Sequence, residues 1–306
     1  MNERTLRRLG SRLAWLAPMI TLGGCSWDLL DPQGNIGVQN LSTLTWATLL
    51  MLIVVIPVII LTIAFAWRYR SSNLAADYAP DWSHSTKIEI VVWLVPALIV
   101  ASLAVIAWKT THDLDPYRPI ASKEKPIEVE VVSLDWKWLF IYPEYGVASV
   151  NEMALPVGRP VHFKITSDTV MNSFFIPQLG SQIYSMAGMQ TQLNLVADKA
   201  GSYKGISANF SGNGFADMRF EAKAMDQKGF DAWIAAAKAS PASLDMAGYA
   251  ALEKASEHDP VRFYGAVTPK LFDAVLMKDM HDNAPAEGKA HSQITSMQMP
   301  APAQQD

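Results

Sequence analysis

Cysteine is all but missing from this sequence. Its 306 residues hold one, Cys25, which excludes an internal disulfide and any site that needs two or more thiolates from the chain. Charge is scarce as well. Asp, Glu, Lys and Arg make up 18% of the residues against 50% hydrophobic, a balance that points to a membrane chain with a domain or two beside its spans. There is no basic excess either, and a formal net charge of -4 speaks against nucleic acid as a partner. We find no internal repeat.

What is present begins with a leader. Arg4, Arg7, Arg8 and Arg12 precede an apolar run, Leu13 to Leu22, that is too short for a bilayer span of about 20 residues. "LGGCS", Leu22 to Ser26, then sets two small residues before Cys25. The arrangement is similar to the bacterial lipobox, which implies a mature chain that starts at Cys25 with acyl groups on its sulfur. Gly23 is less usual at its place than Ala or Ser, and an ordinary signal peptide with an incidental cysteine is the alternative.

Two runs without a charged residue follow, Leu41 to Trp67 and Ile90 to Trp108, each able to cross about 30 Å of hydrocarbon as a helix. Pro57 and Pro96 lie inside them, where a kink is expected, and Trp46, Trp67 and Trp108 lie near the ends as interfacial aromatics do. The loop between the runs carries Arg68, Arg70 and Lys87, whereas Asp28 and Asp31 precede the first. The positive-inside rule puts the loop in the cytoplasm and both flanks outside.

Beyond the second run the period changes to two. "PIEVEVV" sets Ile127, Val129 and Val131 on one face, "VHFKI" sets Val161, Phe163 and Ile165 on one face, and "QLNLV" and "MRFEA" continue the alternation. Prolines 143, 156, 160 and 177 mark turns, so a sandwich or barrel is predicted between about Ile127 and Ala224. After Asp226 the composition is helical, in "FDAWIAAAKAS" and "DMAGYAALEKAS", with Phe263, Tyr264 and Phe272 as aromatic anchors. The Ala-, Pro-, Gln- and Met-rich end reads as disordered.

One stretch stands out: "GISANFSGNGFADMRF", Gly205 to Phe220, is rich in Ser and Gly between two predicted strands, yet holds no His, no Cys and one acid. It belongs with "TSDTVMNSFFIPQLGSQIYSMAGM" from Thr166, "AWKTTHDLDPYRP" after the second run and "DWKWLFIYPE" from Asp135. Together these stretches closely resemble subunit II of the haem-copper terminal oxidases over nearly the whole chain. In members that take electrons from cytochrome c, this domain is a cupredoxin with a two-copper centre, held by a His on one loop and a C-x3-C-x3-H-x2-M run on another. Two thiolates bridge the soft coppers there, with imidazoles and a weak thioether completing the set. Laid on this sequence, the first His falls on Asn172, the two Cys on Ser207 and Ser211, the second His on Phe215 and the Met on Met218, with Asn209 where a backbone carbonyl is the ligand. The spacing survives and four of the five ligand side chains do not.

That loss resembles the quinol-oxidising branch, the cytochrome bo type of ubiquinol oxidase. The resemblance implies a membrane protein of two transmembrane helices, an all-β cupredoxin-like sandwich and a C-terminal helical extension. The expected segments are 1–24 signal peptide, 25–43 periplasmic segment, 44–67 first transmembrane helix, 68–87 cytoplasmic loop, 88–109 second transmembrane helix, 110–225 periplasmic cupredoxin-like domain, 226–281 aromatic-rich extension and 282–306 tail. It also implies a non-catalytic subunit with no cofactor of its own in a bacterial inner-membrane complex. Subunit I would hold haems and copper, ubiquinol would be the substrate of the complex, smaller membrane subunits and lipid would be further partners, and cytochrome c would not be one. A copper electron-transfer protein is contradicted by the missing thiolates. A membrane-tethered cupredoxin-like binding module without a redox centre is the remaining alternative.

Other residues carry lesser expectations. Glu89 heads the second span beside His84 and Lys87; in the family a Glu there is associated with a proton-uptake channel of subunit I, and a solvated acid at a helix N-terminus is the ordinary reading. Trp136 and Trp138 match an aromatic patch near where electrons arrive in cytochrome c oxidising relatives, with core packing or a subunit contact expected here. His162 is expected to be solvated. Met280, His281, His291, Met297 and Met299 are soft or imidazole donors, read here as incidental to the tail.

Overall fold

A computed structural model describes residues 28–76 and 81–282. Helix α1 runs Asn35–Arg68 and α2 runs Thr86–Asp113, both continuing past their prolines, Pro57 and Pro96. Apolar side chains are exposed all round them, Trp93 to 78%, so nothing among the described residues covers them, as fits helices that cross a membrane. At 1.5 Å per residue α1 is about 51 Å long, well beyond a ~30 Å hydrocarbon core, which leaves its first turns free to reach the β domain.

They do reach it. The Gly37 amide donates to the Leu179 carbonyl at 3.1 Å, the Gln33 amide to Gln178 at 2.7 Å, and the Asp198 amide to the Gln33 carbonyl at 2.8 Å. Glycine makes this approach possible: a Cβ on Gly34 would stand 2.5 Å from the Val196 carbonyl oxygen and one on Gly37 2.9 Å from that of Gln178. The exit of α2 is held as firmly, since the Asn194 side-chain amide donates to the Pro116 carbonyl at 3.0 Å.

The β domain is a sandwich. Its six-stranded sheet has the order β12 (Arg262–Tyr264), β3 (Val147–Val150), β2 (Lys137–Tyr142), β1 (Ile127–Leu134), β5 (Val161–Ser167) and β8 (Thr191–Leu195). The five-stranded sheet has the order β4 (Glu152–Pro156), β10 (Arg219–Met225), β9 (Gly201–Ser207), β6 (Asn172–Phe175) and β7 (Ile183–Ser185). Pairing is mixed, with β1 parallel to β5 and β10 parallel to β4. The predicted faces are right: Ile127, Val129, Val131, Val161, Phe163 and Ile165 all enter the core between the sheets.

The other face of the six-stranded sheet is covered too. Alternation that turns Val131 inward turns Val132 and Leu134 outward, and these join Leu139, Ile141, Ala148 and Val150 in a second core. The C-terminal extension supplies its lid: Tyr249 and Leu252 of α4 (Met246–Leu252), with Leu271, Phe272 and Val275 of α5 (Leu271–Asp282). Helix α3 (Gln227–Lys238) instead adds Phe230, Ile234 and Ala237 to the first core. The extension is not helical throughout. It also contributes the edge strand β12 and a small parallel pair, β11 (Ser243–Leu244) with β13 (Ala266–Val267).

Charge is buried along this seam. Lys137 and Asp259, with side chains 1% and 5% exposed, pair at 3.4 Å, and the Lys137 ammonium also donates to the Lys254 carbonyl at 2.8 Å and the Ser256 hydroxyl at 2.5 Å. Burial would raise the Asp259 carboxyl, but the Ser256 hydrogen bond and the Lys137 and Arg262 charges outweigh it and hold the group below its usual range. Asp168 accepts from the Tyr249 hydroxyl at 2.9 Å and from Lys278 at 3.1 Å. Glu130, which lines a cavity with Asp273, forms no such ion pair; burial and then the Glu128 charge push it up to about 7.

Candidate functional site

The stretch from Gly205 to Phe220 is the turn that joins β9 to β10, and it closes over the end of β6. Ser207 ends β9 and Asn172 begins β6; both are buried, and the Ser207 hydroxyl donates to the Asn172 side-chain oxygen at 3.0 Å. The same hydroxyl lies 3.3 Å from the Asn209 carbonyl, while the Asn209 side chain donates to the Met171 carbonyl at 3.1 Å. A short 3-10 turn, Asn213–Asp217, then brings Met218 back so that its carbonyl accepts from the Ser207 amide at 3.2 Å. The Ser211 hydroxyl faces the Met218 sulfur at 4.0 Å. Phe215 stands at the rim, edge-on to Phe210 with ring centroids 5.6 Å apart.

Positions 35 to 46 residues beyond Asn172 in sequence are thus gathered with it at one end of the sandwich, and their hydroxyl and amide groups meet neutral partners. Two hydroxyls, an amide, a phenyl ring and a thioether give no ionisable donor. Soft copper ions are held by thiolate and imidazole, so this set does not fit a thiolate-bridged pair. Among the described residues there is no group of three or more His, Cys, Asp or Glu able to hold a metal. Beside the loop lies a cavity of about 250 Å³, walled mainly by Ile206, Phe215, Ala216 and Met218.

Trp136 covers the loop from the other sheet. It occupies the β1–β2 turn at φ +64°, an uncommon conformation for a large side chain, and its indole N–H donates to the Ser211 carbonyl at 3.1 Å. The ring lies so close that a Cβ on Gly214 would stand 2.5 Å from it, which explains a glycine there. Trp138, two residues on, points the other way into the core, against Phe174 and Phe220, which stack at 5.0 Å. Core packing therefore accounts for Trp138, and loop closure for Trp136.

The other predicted residues lie elsewhere. Glu89 is in the first turn of α2, half-exposed, with its carboxylate 2.6 Å from His84 Nδ1. His162, expected to be solvated, is half-buried instead, because the neighbouring strand β8 brings the Asn194 side-chain oxygen within 2.9 Å of its Nδ1. Cys25, His291, Met297 and Met299 lie outside the described residues, as do the side chains of Met280 and His281. The sequence reading missed the buried charges of the seam. The signal was present in "DWKWLF", where Lys137 sits between two tryptophans in a strand with no exposed position.

Comparison with known proteins agrees with this geometry. Residues 144–225 match the family described as cytochrome c oxidase subunit II, periplasmic domain, and residues 238–283 match the COX aromatic rich motif. The cytochrome bo(3) ubiquinol oxidase subunit 2 of Pseudomonas aeruginosa is 56% identical over 92% of this chain and 85% of its own. That of Pseudomonas putida is 52% identical over 95% and 93%, and the ubiquinol oxidase subunit 2 of Acetobacter aceti 48% identical over 98% and 97%.

Proposed function

From the premise that the chain belongs to the cytochrome bo(3) ubiquinol oxidase subunit 2 family, we propose that it is a structural, non-catalytic subunit of its oxidase. The complex oxidises ubiquinol, reduces oxygen to water and moves protons across the bacterial inner membrane, with haems and copper in subunit I and smaller membrane subunits beside it. Cytochrome c has no part, because this chain offers it no acceptor. The observation that carries this reading is the closure of Asn172, Ser207, Ser211 and Met218 on one another, with Phe215 at the rim, which leaves no donor set for copper.

In this reading the β domain and the chain's start lie in the periplasm, and the loop with Arg68 and Arg70 lies in the cytoplasm. Cys25 carries the lipid. Glu89, at the cytoplasmic head of α2, helps protons reach subunit I; Glu89→Ala in the assembled complex then slows oxygen reduction at unchanged haem content, and a rate equal to wild type retires that role. Purification from membranes tests the whole reading. A large haem-containing partner that copurifies supports it, and isolation as a single colourless chain supports a tethered binding module instead.

A further inference from the structure

Where α1 and α2 meet the β domain, a small groove lies between their ends. Its volume is about 160 Å³; Ile36, Ile120 and Val196 wall it, and Asp113, Asp115 and Arg118 edge it. Helix α2 ends at Asp113, five residues past Trp108, so at 1.5 Å per residue this edge stands about 7.5 Å outside the charge-free run. Gln39, on the α1 side of the groove, is two residues outside the run that starts at Leu41, or about 3 Å. The headgroup layer on each side of a bilayer is about 5–7.5 Å thick, so the groove opens into that layer.

The charges at its edge are incompletely used. Arg118 reaches the Asp113 carboxylate and the His112 carbonyl at 3.4 Å each, both from Nη1. Charge-assisted bonds close to about 2.7–2.9 Å, so this pair stands open, and nothing among the described residues meets the guanidinium at Nε or Nη2. Asp115 accepts from the Tyr117 amide at 2.9 Å through Oδ1, which leaves Oδ2 without a partner among the described residues. The helices run in opposite directions, so the positive start of α1 at Asn35 lies beside the negative end of α2 at Asp113.

We propose that this groove seats the headgroup of a zwitterionic aminophospholipid, with its phosphate on Arg118 and its ammonium on Asp113 and Asp115. A simple anion would meet two carboxylates beside the guanidinium, and a simple cation would meet the guanidinium beside the carboxylates. A ligand that carries both signs a few ångströms apart suits both edges. The fork of Arg118 matches phosphate oxygens, and a primary ammonium brings three donors to the carboxylates. On the membrane side of the groove Leu44 of α1 and Trp108 of α2 are exposed, which gives the acyl chains an apolar surface to lie on.

Photocrosslinking in the complete oxidase complex tests this. The complex is placed in vesicles of equal parts phosphatidylethanolamine and phosphatidylglycerol, with a trace of one or the other lipid carrying a photoactivatable group beside its phosphate, and labelled peptides are identified by mass spectrometry. The ethanolamine probe is expected on residues 109–120, with about fivefold less label from the glycerol probe, which has no ammonium for Asp113 and Asp115. Arg118→Gln should cut the ethanolamine label about fivefold at unchanged haem content, and Asp115→Asn should bring the two probes closer together. Equal labelling of this segment by both probes in the wild-type complex overturns the proposal without need of a variant. So does ethanolamine labelling that Arg118→Gln leaves unchanged. Label that falls on subunit I and spares residues 109–120 shows the groove covered by that partner, and label displaced by inorganic phosphate shows a site for a free anion; either result overturns the lipid site.

Discussion

The turn Asp135–Trp136 and the lysine that follows it touch two polar regions that the fold treats in opposite ways. On one side Trp136 closes the loop of Ser207, Ser211 and Met218, where the contacts of Asn172, Ser207 and Ser211 are all with neutral groups. On the other, Lys137 enters the seam under the extension and is buried against the Asp259 carboxylate. A neutral hydroxyl needs one partner, and its loss from the interior costs little if its neighbour finds another. A buried ion pair gains little by existing, yet removal of one partner strands the other charge in a medium that solvates it poorly. The loop therefore tolerates substitution, and the seam does not.

The largest effect expected from testing this contrast is a gain. Because the loop keeps its spacing, Met218 and the Asn209 carbonyl, the fourfold change Asn172→His, Ser207→Cys, Ser211→Cys and Phe215→His in the full chain should take copper content from none to two per chain. Visible absorption and an electron paramagnetic resonance signal shared over both coppers would report it. Such a signal from the unmodified chain breaks the contrast. A folded variant without copper shows that the ligand positions are misplaced.

Next in size is a loss. Asp259→Ala should cost about 3–5 kcal/mol in unfolding, since Lys137 stays buried without its counter-charge. Ser211→Ala, in the loop, should cost less than about 1 kcal/mol, because its hydroxyl meets only a weak sulfur acceptor. Equal losses in thermal melts would erase the difference between the regions.

A smaller effect should appear as a pH slope. Glu130 is held near 7 in the fold, above its unfolded value of about 4.3, so its favourable contribution is full below about pH 4.3 and is lost as pH rises to about 7. With partial exposure screening the charge, the loss is on the order of 1 kcal/mol. Glu130→Gln should flatten that part of the stability profile and leave the variant the more stable one above pH 7. An unchanged slope places the titration elsewhere.

The smallest effect expected is none. Cys25→Ser should remove the acyl groups from the mature N-terminus, read by mass spectrometry, without releasing the chain from membranes, because α1 and α2 hold it there. A chain that becomes soluble on this change contradicts the assignment of both spans.

Much of the architecture was legible because its signals are local. Charge-free runs mark the two long helices, and alternation in "IEVEVV" and "VHFKI" marks strands with one face inward. Alternation says nothing about what covers the second face. Val132 and Leu134 gave no hint that Leu271 and Phe272, well over a hundred residues on, would pack there. His162 was misread for the same reason: its partner, Asn194, lies on another strand, and only the register of β5 with β8 brings them together. The loop positions could be named from spacing, whereas the bond between Ser207 and Asn172, 35 residues apart, could not.

The sequence by itself determined what this chain is unable to build. One cysteine cannot supply two thiolates in any fold, and charge-free runs of 19 and 27 residues cannot stay in water without cover, since both limits follow from covalent inventory and solvation alone. Tertiary structure decided what the surviving residues do with one another. Whether a buried lysine meets an aspartate, a serine meets an asparagine, or a histidine bends back onto the acid at a helix start depends on packing that sets distances between atoms far apart along the chain, and hydrogen bonds and ion pairs form only over the last few ångströms.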